Sequence, residues 1–143
     1  GETTLHGLLA DLFSPYGTEG RISVRGDDVP VDDHGATPIA LAFHELATNA
    51  VKYGALSVPD GSVVVEIQRE GDAIVLLWRE AGGPEIGGAP AQEGFGTTLA
   101  TLSVEGQLGG KLRREWRSEG LRVELLLRAS GLVRPRKDAP RTA

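Results

Sequence analysis

The chain has 143 residues and no cysteine, with 40% hydrophobic residues, 24% charged residues and a net charge of −5. These values suit one folded domain; the missing cysteine excludes disulfides and thiolate nucleophiles, and the negative charge argues against a nucleic-acid partner. Because no apolar run approaches the roughly 20 residues that cross a bilayer, we expect no membrane contact and a cytoplasmic location.

The N-terminal third predicts a short helix, short strands and a long helix. Residues 4–13 place leucines and a phenylalanine at helical spacing. Residues 21–25 alternate apolar and polar side chains, and Val29 and Val31 follow a turn, so one or two short strands are predicted. Residues 37–53 return to a helical pattern.

The middle of the chain predicts a hairpin followed by a long loop. Residues 62–69 and 73–79 are rich in β-branched and other apolar residues on either side of a turn, which predicts two strands in the middle of a sheet. Residues 81–96 hold six glycines and two prolines without any periodicity. A loop of this length is typical of a lid over a binding site.

The C-terminal part predicts a helix over residues 97–108 and a second hairpin from residues 111–117 and 121–128. The remaining residues, 129–143, predict a polar, disordered tail. The folded domain is therefore expected to span residues 1–128.

The long helix carries a polar row beside its apolar stripe. At about 100° per residue, Glu45, Asn49 and Lys52 lie together, roughly a quarter turn from the apolar stripe. The residues of this predicted core stripe are Ile39, Phe43, Leu46 and Ala50. An amide oxygen can ligate Mg²⁺, an ammonium can meet phosphate oxygens, and a carboxylate can orient or deprotonate a nucleophile. An ordinary amphipathic helix with a solvated edge presents the same row.

His44 and Glu45 also begin the zinc-protease pattern His-Glu-x-x-His. Position 48 is threonine, so the second histidine ligand is missing and this type of site is excluded. We expect His44 at the helix surface or in support of the site rather than in the chemistry.

Two glycine segments follow. Glu80 ends the central strand before Gly82 and Gly83. A carboxylate there can accept a hydrogen bond from the exocyclic amine of adenine, and glycines let the backbone come close to the base. A second glycine turn opens a helix, where free N–H groups and the helix dipole suit a phosphate chain. Its residues are Gly94, Phe95, Gly96, Thr97 and Thr98. Taken singly, either segment also fits a plain turn or helix start.

The order of these motifs resembles the GHKL group of ATP-binding domains. Residues 44–57, His-Glu-Leu-Ala-Thr-Asn-Ala-Val-Lys-Tyr-Gly-Ala-Leu-Ser, are similar to the N box of its HWE histidine kinases. The sequence Trp78-Arg79-Glu80 matches the W-x-E motif that, with His44, names that family, and residues 94–97 are similar to its second glycine box. The resemblance spans residues 5–127.

The resemblance implies an α/β two-layer sandwich, the Bergerat or GHKL fold. Its sheet would be mixed and mostly antiparallel, with helices on one face and a long ATP lid. On the polar helix, Asn49 would ligate Mg²⁺, Lys52 would contact phosphate, and Tyr53 would form a wall of the nucleotide site. Glu45 would stand where the ATPases of the group place a general base.

The resemblance also implies how the two glycine segments act. Glu80 would receive the adenine amine, where most histidine kinases use aspartate, and Gly82 and Gly83 would line the base. Residues 94–98 would anchor the lid against the phosphates of ATP.

The implied activity is that of the catalytic domain of a two-component sensor histidine kinase. It would transfer the γ-phosphoryl group of ATP to a histidine, for relay to a response regulator receiver domain. HWE kinases carry that histidine in an upstream helical hairpin, before a basic residue and Lys-Asn, whereas His6 precedes Gly7 and Leu8. The phosphoacceptor is therefore expected on an upstream segment or in trans.

Two other functions remain open. One is an ATP-driven conformational switch of the gyrase, chaperone or mismatch-repair type, which Glu45 allows chemically and which a transducer domain after the sheet would mark. The other is a nucleotide-independent docking module with the same fold, against which the complete set of motifs argues.

Overall fold

The computed structural model describes residues 3–16, 20–84 and 99–133. Its helices and strands are, in chain order, α1 (Leu5–Phe13), β1 (Ile22–Gly26), α2 (Asp33–Lys52), β2 (Ser62–Glu70), β3 (Ala73–Ala81), β4 (Lys111–Arg117) and β5 (Gly120–Arg128). The strands form one sheet in the order β1-β2-β3-β5-β4. Strand β1 runs parallel to β2, and the other neighbouring strands are antiparallel. The predicted mixed, mostly antiparallel sheet is confirmed.

One face of the sheet carries the core. In β2, Val63, Val65 and Ile67 are buried, while the side chains between them are half-buried on the opposite face. Strands β3 and β5 show the same alternation, because successive side chains of a strand point to opposite faces. Helices α1 and α2 bury their apolar stripes on this inner face, which gives the predicted two-layer α/β sandwich.

Helix α2 begins four residues before the predicted start at residue 37. The side chain of Asp32 accepts hydrogen bonds from the backbone N–H groups of His34 and Gly35, and such a cap starts the helix at Asp33. Gly35 also packs against the Leu132 carbonyl, where a Cβ would not fit. The predicted core stripe of α2 is buried as expected: Ile39, Phe43, Leu46 and Ala50.

The region between β1 and α2 contains no further strand. Val29 and Val31 are buried in a loop, and an isolated bridge joins Thr4 to Pro30 beside them. Their alternation therefore reflects burial against the core rather than sheet pairing.

The helix predicted over residues 97–108 is present in its described part, with a different geometry. Residues 99–101 are α-helical and Leu102–Gln107 forms a π-helix. Within this π-helix, Ser103 and Val104 are the buried residues.

The segment predicted as a tail begins inside the fold. Ala129–Gly131 forms a single 3₁₀ turn, and the side chains of Ala129 and Leu132 are buried in the core. The Leu132 carbonyl accepts a hydrogen bond from the backbone N–H of Asp32 at 3.1 Å. Packing against the core therefore extends to Leu132, past the predicted boundary at residue 128. Residues 134–143 lie outside the described residues.

Across residues 3–16, 20–84 and 99–133, no helix is both long enough and apolar enough to span a bilayer.

Candidate functional site

Helix α2 presents the predicted polar row to one side of the core. Glu45 and Asn49 are half-buried, and Lys52 is exposed at the last residue of the helix. The side chains of these three residues make no hydrogen bond or ion pair with another described residue. Their oxygen and nitrogen atoms therefore remain able to bind a polar ligand.

Tyr53 caps the C-terminus of α2 and is 75% exposed. Its backbone N–H donates to the Asn49 carbonyl at 2.8 Å, which ties the end of the helix to the polar row. A ring held at a helix end with most of its surface uncovered can stack against a planar ligand.

Glu80 is buried at the end of β3, with 5% of its surface exposed. Its Oε2 accepts a hydrogen bond from the Trp78 indole N–H at 2.9 Å, and its Oε1 accepts one from the Ala55 backbone N–H at 3.0 Å. Burial raises the pKa of the Glu80 carboxyl, and these two hydrogen bonds act in the opposite direction. Each carboxylate oxygen keeps a lone pair that can accept from a ligand.

The chain makes room for this carboxylate with two glycines. A Cβ at Gly54 would overlap Glu80 Oε1, and a Cβ at Gly120 would overlap the Glu80 carbonyl oxygen. Gly120 also has a φ of 147°, which side chains rarely adopt. The end of α2, the end of β3 and the start of β5 can therefore converge on one buried acid.

Gly82 and Gly83 follow Glu80 and pack against the loop after α2. A Cβ on Gly82 would lie 2.7 Å from the Asp60 carbonyl oxygen, and one on Gly83 would crowd the Ala55 backbone. Contacts within the protein thus account for both glycines, and their predicted role in lining a base stays a prediction.

Arg21 fastens that same loop and was not identified from the sequence. Its guanidinium donates to the carbonyl oxygens of Gly61 at 3.0 Å and Ala55 at 3.4 Å, and also to that of Val58. The partners lie 34 to 40 residues away along the chain, so no local pattern points to them.

Tyr16 supports the first turn of the N-box motif and was also missed. Its hydroxyl oxygen lies 2.7 Å from His44 Nδ1 and 3.1 Å from Thr48 Oγ1. His44 is exposed, in agreement with the surface position expected for it. Because Tyr16 and His44 are 28 residues apart, spacing in the sequence gives no sign of the contact.

Five predicted site residues lie outside the described residues, which omit 85–98 together with most of the expected lid. They are Gly94, Phe95, Gly96, Thr97 and Thr98. Their role on the phosphate chain remains a prediction.

Comparison with known proteins gives relatives by sequence and neighbours by fold. No protein-family model matches the chain. The chain is 35% identical over 124 residues to blue-light-activated histidine kinase 1 of Erythrobacter litoralis, which covers 84% of this chain and 34% of the relative. It thus spans about a third of the length of that curated relative.

Solved structures share the fold. The catalytic domain of the histidine kinase ThkA matches with a TM-score of 0.67 at 17% identity, over 90% of this chain and 97% of that domain. A structure of ThkA in complex with the response regulator protein TrrA matches with a TM-score of 0.67 at 17% identity, over 94% of this chain and 43% of the ThkA chain. The sequence similarity to the blue-light-activated histidine kinase, together with the N box and the W-x-E motif, shows that the chain belongs to the HWE-type histidine kinases, as a catalytic domain.

Proposed function

We propose that this domain binds Mg-ATP and transfers the γ-phosphoryl group to a histidine on a helical hairpin, upstream or in trans. A single observation carries the proposal. The side chains of Glu45, Asn49 and Lys52, which have no partner among the described residues, lead along α2 toward the end of the helix. There the next residues approach the buried Glu80 carboxylate. One helix therefore offers groups for the phosphates along its length and for the base at its end.

The nucleotide orientation follows from this order. Glu80 would accept a hydrogen bond from the adenine amine, and Tyr53, Gly82 and Gly83 would enclose the base. The phosphates would then run toward the N-terminus of α2, past Lys52.

The polar row also fits Mg²⁺. Magnesium prefers oxygen ligands and is usually held by one or two protein groups together with substrate phosphates and water. Among the described residues no cluster of three or more acidic or histidine side chains is arranged to hold a metal ion. The half-buried Asn49 amide can supply one oxygen ligand, and bound Mg²⁺ would neutralise charge on the phosphates.

Glu45 is our candidate for the catalytic side chain. It lies four residues, about 6 Å along the helix axis, before Asn49, on the side where the terminal phosphate would sit. From there its carboxylate can orient the acceptor imidazole or take its proton. The ATPase alternative uses the same carboxylate on water, and release of inorganic phosphate in the absence of an acceptor would favour that alternative.

The proposed partners are the phosphoacceptor hairpin and a response regulator receiver domain. The fold match to ThkA in its complex with the regulator TrrA supports the second partner. We propose that the regulator takes the phosphoryl group from the hairpin histidine, so it need not contact the nucleotide site.

Calorimetric titration with a non-hydrolysable ATP analogue, with and without Mg²⁺, tests the proposal. We expect binding that requires Mg²⁺ for full affinity and that weakens in Lys52→Ala. Lys111→Ala, an exposed lysine on β4, is the matched control and should bind like the parent. A folded domain that takes up no analogue at millimolar concentration would instead support the nucleotide-independent docking module.

A further inference from the structure

The two named residues of the W-x-E motif touch each other. Trp78 and Glu80 are two positions apart on β3, so both side chains point to the inner face of the sheet. The indole N–H donates to Glu80 Oε2 at 2.9 Å. The motif is thus a hydrogen-bonded pair, and not only a large core residue followed by an acid.

The indole cannot follow a moving carboxylate. Trp78 is fully buried, and its ring centroid lies 6.0 Å from those of both Phe13 and Phe43. A close-packed aromatic cluster of this kind holds a side chain in one rotamer. The N–H therefore points in a fixed direction.

The second carboxylate oxygen is fixed independently. Glu80 Oε1 accepts from the Ala55 N–H, and the guanidinium of Arg21 holds the carbonyl side of the same loop. With one donor on each oxygen, rotation of the carboxylate plane would break a hydrogen bond. The lone pairs left for a ligand therefore face one direction.

We propose that Trp78 is a positioning residue for nucleobase specificity, whose indole N–H aims the Glu80 carboxylate at the exocyclic amine of adenine. The inference rests on the proposed binding of the base by Glu80. A correctly aimed acceptor favours adenine, whose amine donates, over guanine, whose carbonyl oxygen at the same position is another acceptor. An acceptor free to rotate loses most of that difference.

Trp78 also bears on the charge of the site. Its hydrogen bond lowers the pKa of the Glu80 carboxyl, against the larger opposing effect of burial. Loss of the N–H should therefore shift the titration of Glu80 to higher pH. A purely structural tryptophan would not move this titration.

The test compares Trp78→Phe with Phe13→Leu, which perturbs the same aromatic cluster without touching the carboxylate. ATP and GTP affinities are measured by calorimetry, and the Glu80 titration is followed by carboxyl-carbon NMR of the nucleotide-free domain. We expect ATP affinity to fall about tenfold in Trp78→Phe with GTP affinity unchanged, and the Glu80 titration to move to higher pH. Phe13→Leu should keep both the ATP preference and the titration.

A second variant separates the hydrogen bond from packing. Benzothienylalanine at position 78 keeps the shape of the indole and replaces its N–H with sulfur. It is introduced in a Trp116→Phe background, so that position 78 is the only tryptophan to be replaced. Because this analogue keeps the packing of the core, any effect that it shares with Trp78→Phe comes from the lost N–H. We expect it to reproduce the effects of Trp78→Phe.

The outcomes separate the role of Trp78 from base recognition by Glu80. A parent domain that prefers ATP, together with variants that keep this preference and the parental titration, would overturn the role of Trp78. A parent domain that binds ATP and GTP equally would remove Glu80 from the base site, and the proposed base recognition would fail before Trp78 is considered.

Discussion

Asn49 is the only asparagine of the chain and lies half-buried in the middle of the polar row. Its side chain makes no hydrogen bond with another described residue. Its backbone carbonyl oxygen accepts hydrogen bonds from the backbone N–H groups of Tyr53 and Gly54. The backbone of Asn49 therefore stabilises the C-terminus of α2, and its side-chain amide remains able to bind a ligand. A change of the side chain alone should leave the fold intact.

We predict that Asn49→Ala weakens Mg-dependent nucleotide binding by about tenfold or more, because an oxygen ligand of the metal is lost. Asn49→Asp should be similarly defective. Thermal unfolding of both variants should match the parent, because Asn49 is not part of the core stripe. Thr37→Ala, an exposed substitution near the start of α2, is the control. Parental Mg-ATP affinity in Asn49→Ala would refute the metal assignment.

The buried Glu80 carboxyl should make the stability of the domain depend on pH. Burial raises its pKa in the folded domain above the ordinary value of 4.5. Between 4.5 and the raised value, the folded state holds a proton that the unfolded state has released. The free energy of unfolding should therefore fall as pH rises through this range, and Glu80→Gln should lack this contribution.

Denaturant unfolding of the parent and Glu80→Gln, from pH 4.5 to neutrality, measures this difference. Glu70→Gln, an exposed change at the end of β2, serves as the control. If the stability difference between parent and Glu80→Gln does not change with pH, the carboxyl is not perturbed as described.

The start of helix α2 depends on the turn that follows β5. The Leu132 carbonyl accepts from the Asp32 N–H and lies against Gly35 in the first turn, while the Leu132 side chain is fully buried. The turn after β5 thus adds a buried side chain to the core and binds the N-cap residue of α2 through a backbone hydrogen bond.

We predict that Leu132→Ala destabilises the domain by about 2–4 kcal/mol, because a buried leucine is replaced by a cavity. Val133→Ala, at a neighbouring position that is 38% exposed, should change stability by no more than about 0.5 kcal/mol. Chemical denaturation of the two variants gives the comparison. Equal stability of the two would mean that the domain ends before Leu132.

The three histidines of the chain lie in settings that do not suit a phosphoacceptor. His6 Nε2 lies 3.0 Å from the Asp27 carbonyl oxygen, and His44 Nδ1 contacts the Tyr16 hydroxyl. His34 lies in the capped first turn of α2, directly after the acidic residues Asp32 and Asp33. Such carboxylates repel a triphosphate.

We predict that this chain alone binds ATP without stable autophosphorylation, and that a histidine-bearing hairpin added in trans becomes labelled. In-line transfer needs the acceptor nitrogen within about 3–3.5 Å of the phosphorus atom, and we expect none of these three imidazoles to reach it. Incubation with γ-labelled ATP and mass spectrometry under conditions that preserve phosphohistidine provides the measurement. Stoichiometric label on His6, His34 or His44 would show that the acceptor lies within this chain.

Most helices and strands can be predicted from the local pattern of apolar residues in the sequence. Helix α1, the β2–β3 hairpin and the β4–β5 hairpin were predicted within a few residues, because burial of one face imposes a period of 3.6 on helices and 2 on strands. The polar row of Glu45, Asn49 and Lys52 followed from the same periodicity, since residues three and four apart share one side of a helix. The family could be recognised because its motifs are short and lie within single elements.

Contacts between segments that are distant in sequence could be identified only in the tertiary structure. The Ala55 N–H meets Glu80 across 25 residues, Tyr16 meets His44 across 28, and Leu132 completes a helix cap at Asp32. None of these leaves a periodic mark, because each depends on how the helices pack on the sheet. The sequence thus identifies Glu80 as a binding candidate, but its burial and the two donors that orient it arise only when β3, the end of α2 and the loop beyond it are packed together.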